Sequence, residues 1–263
     1  MKNLVNEEMF ERIKSKMPKT RTEICPKCKK ERVFQVHEDS SETLLIKCTC
    51  DWQPEIQKSL ERQRKKKLNY FFRHSLVNPE LEKASFETSD VDVSDKNIER
   101  PIRYAYMTGM KFVEVFDLKS PKTLYISGDV GTGKSFLSYA IARAVKEKGF
   151  TVLFIDIVEL LTRLKASFNK NGVEDYLKIM QLVNDVDLFV LDDVGANNMT
   201  SWANEVLYHI TNKRQGKNNI YTTNLTIDIV RDIDDFNLTR SFSRMNKNAI
   251  NLAMNGVDRR LNS

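Results

Sequence analysis

A glycine-rich run that ends in a lysine and a hydroxyl is the part of this chain with the clearest chemistry. It reads GDVGTGKS over residues 128–135, so that Gly128 is followed by four residues and then by Gly133, Lys134 and Ser135. Glycines allow backbone conformations in which successive N–H groups turn inward around phosphate oxygens. With this spacing, a lysine reaches the β- and γ-phosphates of a nucleotide and a hydroxyl binds Mg²⁺. The run therefore predicts a cradle for the phosphates of ATP.

The flanking residues supply the elements that such a loop needs. An apolar strand (TLYIS, 123–127) precedes it, and a helical pattern (FLSYAIARAVKEK, 136–148) follows. The helix places its positive N-terminal end at the phosphates. This context favours a phosphate-binding loop over the alternative, a fortuitous glycine turn. The expected nucleotide contacts are Gly128, Asp129, Val130, Gly131, Thr132, Gly133, Lys134, Ser135 and Phe136.

Two aspartates follow a later apolar run. The segment DLFVLDD, 187–193, is expected to be a strand that ends in Asp192 and Asp193. We expect Asp192 to hold Mg²⁺ together with Ser135, and Asp193 to polarise the attacking water. The alternative is a pair of surface aspartates that cap the following turn. The next strand leads to Asn224, which either hydrogen-bonds the γ-phosphate or the water, or caps the following helix.

Apolar runs alternate with helical patterns through the second half of the chain. Strands are expected at 123–127, 151–156, 187–192, 219–223 and 249–254. Several of them are apolar on consecutive residues, which is typical of a parallel sheet buried on both faces. The pattern therefore predicts an α/β domain with a parallel five-stranded sheet and crossover helices.

The composition is typical of a soluble globular protein. The 263 residues are 41% hydrophobic and 30% charged, which suits a soluble protein with one large and one smaller domain. No apolar run approaches the roughly 20 residues of a membrane helix, and the N-terminus does not resemble a signal peptide. A cytoplasmic location without a membrane partner is expected. The net charge of +6 is concentrated in one basic stretch at 58–74.

Four cysteines near the start of the chain form two closely spaced pairs. Cys25 and Cys28 make a C-x-x-C pair, and Cys48 and Cys50 make a C-x-C pair. Two such pairs predict a closed Cys₄ site for Zn²⁺, with a structural role because no coordination position stays open. The hairpin expected between the pairs is too small to bury a core, so the metal supplies its folding free energy. The alternatives are four free thiols, a redox pair, or His37 in place of one thiolate.

The motifs occur in an order that resembles a known family. GDVGTGKS is followed by LFVLDDVG, TTN, TRSFSRM and GVDRR. This ordered set is similar to that of the DnaC/DnaI helicase loaders and of the related IstB transposition ATPases, which are AAA+ proteins. The resemblance implies that Arg244, or else Arg240, reaches the ATP of a neighbouring subunit, and that Arg260 is a second sensor of the nucleotide. From the residues alone, the alternative for each of Arg244 and Arg260 is a solvated surface arginine, and this alternative is stronger for Arg260.

The resemblance also implies a domain organisation. The AAA+ ATPase domain is expected at 101–263, without a C-terminal helical lid because few residues follow the last expected strand. A zinc-binding domain that contacts the helicase is expected at 1–74, and a linker at 75–100. Because no lid is expected and Asp193 is shorter than the commoner glutamate, slow intrinsic ATP hydrolysis is expected, with ATP acting as a switch.

Two segments are candidates for binding a partner. The run ERQRKKKLNYFFRH, 61–74, places positive charge beside three aromatic residues, which fits DNA phosphates, an acidic partner, or a solvated helix face docked through its aromatics. A long helical stretch at 158–184 resembles an element that faces single-stranded DNA in related assemblies. Its candidate contacts are Arg163, Lys165, Phe168 and Lys170, and for Phe168 a packing role is the alternative.

Together these features predict an ATPase that uses ATP, Mg²⁺ and Zn²⁺. The resemblance adds a function, the loading of a hexameric DnaB-type replicative helicase onto single-stranded DNA. Head-to-tail self-association through the ATP site would build a spiral or a ring. Two alternatives stay open, namely an IstB-like transposition helper that acts on duplex DNA, and a zinc adaptor with a vestigial ATPase site. The cysteine pairs favour the loader.

Overall fold

Residues 18–46, 48, 50, 56–63, 66, 81–170, 173–195 and 200–259 are described by the structure, a computed structural model. The chain divides into two units, 1–65 and 66–263. The domain boundaries expected from the sequence stay a prediction.

The smaller unit contains a three-stranded antiparallel sheet. Its strands β1 (Thr20–Ile24), β2 (Glu31–Val36) and β3 (Glu42–Ile46) lie side by side in chain order. The hairpin expected between the cysteine pairs is formed by β2 and β3. No residue of the three strands is buried, so this sheet has almost no apolar core of its own.

A parallel five-stranded sheet is the framework of the larger unit. Its strands are β4 (Thr123–Ser127), β5 (Val152–Asp156), β6 (Leu188–Asp192), β7 (Asn218–Thr223) and β8 (Ala249–Ala253). They lie in the order β5-β6-β7-β4-β8, and all neighbours run parallel. Every residue of β6 and β7 is buried, as the consecutive apolar runs predict. The predicted α/β fold class is confirmed.

Helices cover both faces of this sheet. They are α1 (Arg100–Glu114), α2 (Lys134–Glu147), α3 (Ile157–Lys170), α4 (Val173–Asp185), α5 (Ser201–Lys213), α6 (Ile227–Arg231) and α7 (Phe236–Asn246). On one face Leu124 and Ile126 pack with α1 and α2, and on the other Tyr125 packs with α3, α4, α5 and α7. The helical stretch expected at 158–184 is present as α3 and α4, which pack on each other.

The described end of the expected linker, residues 81–99, lies against the α1–α2 layer. A short 3₁₀ turn at Leu81–Lys83 is followed by Ala84 and Val91, which are buried in the same apolar cluster as Ile102. This segment therefore forms part of the larger unit, because its few apolar side chains are spaced to reach that cluster. Among the helices that the structure describes, none has both the length and the apolar character needed to cross a bilayer.

Candidate nucleotide-binding site and metal centre

A cavity of about 530 Å³ opens at the carboxyl ends of the central strands, where α/β sheets bind their ligands. The sequence-predicted residues in its wall are Val130, Gly131, Gly133, Lys134, Ser135, Phe136, Asp192, Asp193 and Asn224. Gly128, Asp129 and Thr132 belong to the same loop but do not line the cavity. Arg260 lies outside the described residues. The loop, the acid pair and the asparagine, far apart in the chain, therefore meet in one place.

The loop backbone requires glycine at two of its positions. Gly128 has φ +146°, and a Cβ there would lie 2.2 Å from the Met254 carbonyl oxygen. Gly131 has φ +76°, and a Cβ there would lie 1.8 Å from the Asp258 carboxylate. A side chain at 128 would clash with the backbone that follows β8, and one at 131 with the Asp258 side chain, so this segment packs closely against the loop.

Lys134 begins α2 and points back into the loop. Its side chain is almost fully buried, with the residue 7% exposed. The ammonium Nζ donates hydrogen bonds to the carbonyl oxygens of Gly128, at 2.9 Å, and Asp129, at 2.5 Å. A phosphate oxygen is a stronger acceptor for an ammonium than a carbonyl is. The lysine is thus positioned at the loop and ready to exchange these acceptors for phosphate.

The two aspartates are held by a threonine to which the sequence assigned no role. Thr222, near the end of β7, donates from Oγ1 to Asp192 Oδ1 at 2.5 Å, and the same Oγ1 accepts from the Asp193 N–H at 2.8 Å. Asn224 donates from Nδ2 to Asp193 Oδ1 at 2.9 Å. Asp193 has φ +56°, a conformation that aspartate tolerates. The position of Thr222 near the carboxyl end of an expected strand could have indicated that it lies at this site. The same holds for Asp156, which ends β5 and also lines the cavity.

The environment of Asp192 suits a divalent cation. Burial raises the pKa of its carboxyl, hydrogen bonds from Thr222 and Ser135 oppose the rise, and the negative charges of Asp193 and Asp156 add to it. A buried carboxylate beside two others is costly unless a cation balances the charge. Hydroxyl and carboxylate oxygens are also the donors that Mg²⁺ prefers. The residues present therefore fit Mg²⁺.

Replacing Asp192 by asparagine is expected to stabilise the ligand-free protein while abolishing Mg²⁺-dependent ATP hydrolysis. Because the folded-state pKa lies above the ordinary 3.8, ionisation of this group destabilises the fold as the pH rises through that window. At pH 7, Asp192→Asn should raise Tm by about 2–4 °C, the shift for ~1 kcal/mol in a domain of this size. Scanning calorimetry without nucleotide measures it. The less buried Asp193→Asn is the control and should leave Tm unchanged. A lower Tm for Asp192→Asn would contradict the prediction.

The two arginines of α7 lie away from the nucleotide cavity. Arg244 donates from Nη2 to the Tyr208 hydroxyl at 3.0 Å, and its guanidinium lies 4.2 Å from the centre of the Tyr208 ring. Arg240 lies 4.9 Å from the same ring centre. Arg244 lines a second cavity, of about 200 Å³, together with Thr123 and Asn219 at the amino-terminal ends of β4 and β7. Arg244 therefore lies at the amino-terminal ends of the strands, whereas the nucleotide cavity lies at their carboxyl ends.

Within the part of the chain that the structure describes, one arginine lines the nucleotide cavity, Arg259, which precedes Arg260 in the sequence. Its backbone N–H donates to the Gly131 carbonyl oxygen at 3.0 Å. The assignment of Arg260 as a second sensor of the nucleotide stays a prediction, because that residue is outside the described ranges.

The candidate DNA contacts that the structure describes are engaged locally. Arg163 donates from Nε to Glu159 Oε1 at 2.9 Å, and Lys165 Nζ lies 5.2 Å from the centre of the Trp202 ring. The side chains of Phe168 and Lys170 lie outside the described residues, as do most of 61–74, of which 61–63 and 66 are helical. Contact with DNA stays a prediction.

The four cysteines converge in the smaller unit. Their sulphur atoms all lie within 4.8 Å of one another, close to the ~3.8 Å edge of a tetrahedron of Zn–S bonds. Backbone N–H groups of Cys28 and Lys27 hydrogen-bond the Cys25 thiol and lower its pKa to about 6, whereas the neighbouring Cys28 raises the pKa of Cys50 to about 12. Such crowded thiols favour a cation that binds all of them as thiolates. The residues present therefore fit Zn²⁺.

His37 does not join this cluster. Its Nε2 lies 2.8 Å from Thr43 Oγ1 across the β2–β3 hairpin. Among the described residues, the group of metal-ligating side chains in this unit contains the four cysteines and no histidine.

Part of this chain is similar in sequence to known proteins. The sequence model of the family described as IstB-like ATP binding protein matches residues 59–261. The replicative helicase loader DnaI of Bacillus subtilis (strain 168) is 28% identical over 151 residues, 57% of this chain and 45% of DnaI. The replicative helicase loader DnaC of Escherichia coli (strain K12) is 28% identical over 157 residues, 59% of this chain and 61% of DnaC. The match spans less than two thirds of either relative.

The fold has a solved counterpart. The crystal structure of the DnaC helicase loader is similar with a TM-score of 0.58 and 25% identity, over 67% of this chain and 99% of that one. The resemblance stated from the motifs is confirmed, and the five-stranded parallel sheet matches the AAA+ domain of that loader. This chain belongs to the family of IstB-like ATP-binding proteins.

Proposed function

We propose that this protein is an ATP-dependent loader of a hexameric, DnaB-type replicative helicase, acting in the cytoplasm. The observation that carries the proposal is the convergence of the phosphate-binding loop, the Asp192–Asp193 pair and Asn224 on one cavity. The similarity to DnaI and DnaC indicates the partner. The cysteine cluster of the smaller unit supplies a separate, metal-stabilised element for contact with the helicase.

Each residue of the cavity has a chemical task in this proposal. Lys134 binds the β- and γ-phosphates, and Ser135 and Asp192 would hold Mg²⁺, which when bound neutralises phosphate charge. Asp193 orients and polarises the attacking water, and the hydrogen bond from Asn224 fixes the direction of its carboxylate. Because Asn224 is engaged with Asp193, we assign it to positioning this base rather than to capping a helix.

Hydrolysis requires a second subunit in this proposal. Arg244 and the nucleotide cavity of the same subunit lie at opposite ends of the strands. Arg244 can therefore complete only the nucleotide site of a neighbouring subunit. Tyr208 supports the guanidinium through its ring and its hydroxyl. A head-to-tail contact of this kind is heterologous and builds spirals or rings.

Mixing two inactive variants should restore ATP hydrolysis. Lys134→Ala and Arg244→Ala are each expected to hydrolyse ATP no faster than the dilute monomer. In a 1:1 mixture, about a quarter of randomly arranged heterologous contacts join an intact cavity to an intact arginine, and phosphate release should recover to about that share. The matched control is Arg240→Ala, which should stay active. A mixture as inactive as its components would contradict the assignment of Arg244.

A reconstituted loading assay tests the function itself. The full-length protein, ATP and the purified replicative helicase of the same organism are combined with single-stranded DNA coated by its binding protein. We expect ATP-dependent transfer of helicase onto the DNA. No loading of the helicase, together with retention of a transposase and duplex DNA in affinity capture from a bacterial extract with ATP, would instead support an IstB-like transposition helper, the alternative named after the matching family. Equal loading by Lys134→Ala would support a zinc adaptor with a vestigial ATPase site.

A further inference from the structure

Two segments from distant parts of the chain meet at the wall of the nucleotide cavity. Asp90 comes from the segment before α1, and Arg259 from the segment after β8. Arg259 donates from Nε and Nη2 to Asp90 Oδ2, at 3.1 and 2.9 Å. Both residues line the cavity together with Lys134 and Asp193. An ion pair therefore occupies part of the wall that a nucleotide would contact.

The backbone of Arg259 is fastened to the phosphate-binding loop. Its N–H donates to the Gly131 carbonyl oxygen at 3.0 Å. The Asp258 carboxylate occupies the space beside Gly131 that a side chain would fill, and the Gly256 N–H donates to Asp129 Oδ2 at 3.2 Å. With its backbone held in this way, Arg259 could change partners through rotation of its side chain, and the guanidinium would stay next to the loop.

The two partners differ in exposure. The Arg259 side chain is 19% exposed and that of Asp90 is 71% exposed. An exposed carboxylate can return to water at little cost, whereas a mostly buried guanidinium needs another anion. Tyr106 of α1 lines the same cavity. Burial raises the pKa of its hydroxyl most, the charge of Asp90 adds to the rise, and the charge of Arg259 opposes it. The arginine end of the pair is therefore partly desolvated, whereas the carboxylate end is in contact with water.

We propose that Asp90 is the resting counter-ion of Arg259, and that Arg259 exchanges this carboxylate for a phosphate group of the bound nucleotide. The guanidinium fork suits both acceptors, because carboxylate and phosphate accept two parallel N–H bonds. Asp90 therefore competes with the nucleotide and lowers its affinity. The exchange also releases the 81–99 segment from one of its contacts when nucleotide binds. This inference rests on the proposed binding of ATP.

A double-mutant cycle measured by calorimetry with a non-hydrolysable ATP analogue and Mg²⁺ tests the exchange. Asp90→Asn should tighten binding by about 2–5-fold, the usual range for an exposed ion pair. Arg259→Gln should weaken binding by about tenfold, as for a lost hydrogen bond to a charged group. In the Arg259→Gln background, Asp90→Asn should have no effect, because the competition acts only through the arginine.

Asp92→Asn is the matched control for charge. Asp92 lies in the same segment, outside the cavity wall, and accepts hydrogen bonds from Ser94 that an asparagine can also accept. It should leave the affinity unchanged, and all variants should melt within a few degrees of the wild type. Equal affinity of Asp90→Asn and wild type, or equal tightening with and without Arg259, would overturn the exchange while leaving ATP binding intact. A wild-type protein that binds no nucleotide would refute the proposed function itself.

Discussion

Replacing Lys134 by alanine is expected to remove tight ATP binding and to abolish hydrolysis. The ammonium is buried and already aimed at the loop, with carbonyl acceptors at 2.9 and 2.5 Å that phosphate oxygens can replace. Loss of charge-assisted contacts to two phosphates should weaken binding by at least about 100-fold, since each hydrogen bond to a charged group contributes ~1.5–3 kcal/mol. Titration calorimetry with ATP and Mg²⁺ measures the affinity, and phosphate release measures the rate.

A lysine on another surface provides the control for this prediction. Lys178 is on α4, pairs with Asp175 at 3.2 Å and has a side chain that is 64% exposed. Lys178→Ala removes the same charge outside the cavity wall and should bind ATP as the wild type does. Wild-type affinity in Lys134→Ala, with an unchanged melting temperature, would show that the loop does not hold the phosphates.

Removing zinc is expected to unfold the smaller unit. No residue of β1, β2 or β3 is buried, so apolar burial contributes little to its stability. A structural zinc site supplies ~10–16 kcal/mol of apparent binding free energy, more than such a sheet can replace. Elemental analysis should find zinc bound to the purified protein. A strong chelator, or Cys48→Ser, should expose residues 20–50 to limited proteolysis, and added zinc should reverse the effect of the chelator.

The histidine between the cysteine pairs is the internal control. His37 contacts Thr43 and lies outside the cysteine cluster, so His37→Ala should retain zinc and resist proteolysis as the wild type does. Loss of zinc in this variant would restore histidine to the ligand set. A metal-free protein whose smaller unit resists protease would contradict a structural role for the site and support four free thiols.

Local patterns were sufficient to predict most elements of the larger unit. The expected strand at 187–192 is β6 at Leu188–Asp192, and the expected strand at 219–223 is β7 at Asn218–Thr223. Both are recognisable because burial on two faces demands consecutive apolar residues. The phosphate-binding loop is equally local, since its conformation depends on glycines within eight residues. The exposed strands of the smaller unit carry no such pattern, and β1 was not predicted.

The residue types and spacings by themselves determined which chemical groups this protein can bring to a nucleotide, and where its metal-binding thiols lie. The tertiary structure decided which of those groups meet. β7 follows both β4 and β6 in the chain yet lies between them, and only this order brings Thr222 to Asp192. Likewise, only the crossing of the segment after β8 over the loop places Arg259 beside Asp90. The spacing of apolar residues in the sequence predicts local structure over a few residues. The contacts of Thr222 and Arg259 depend instead on strand order and on packing between segments that are distant in the chain.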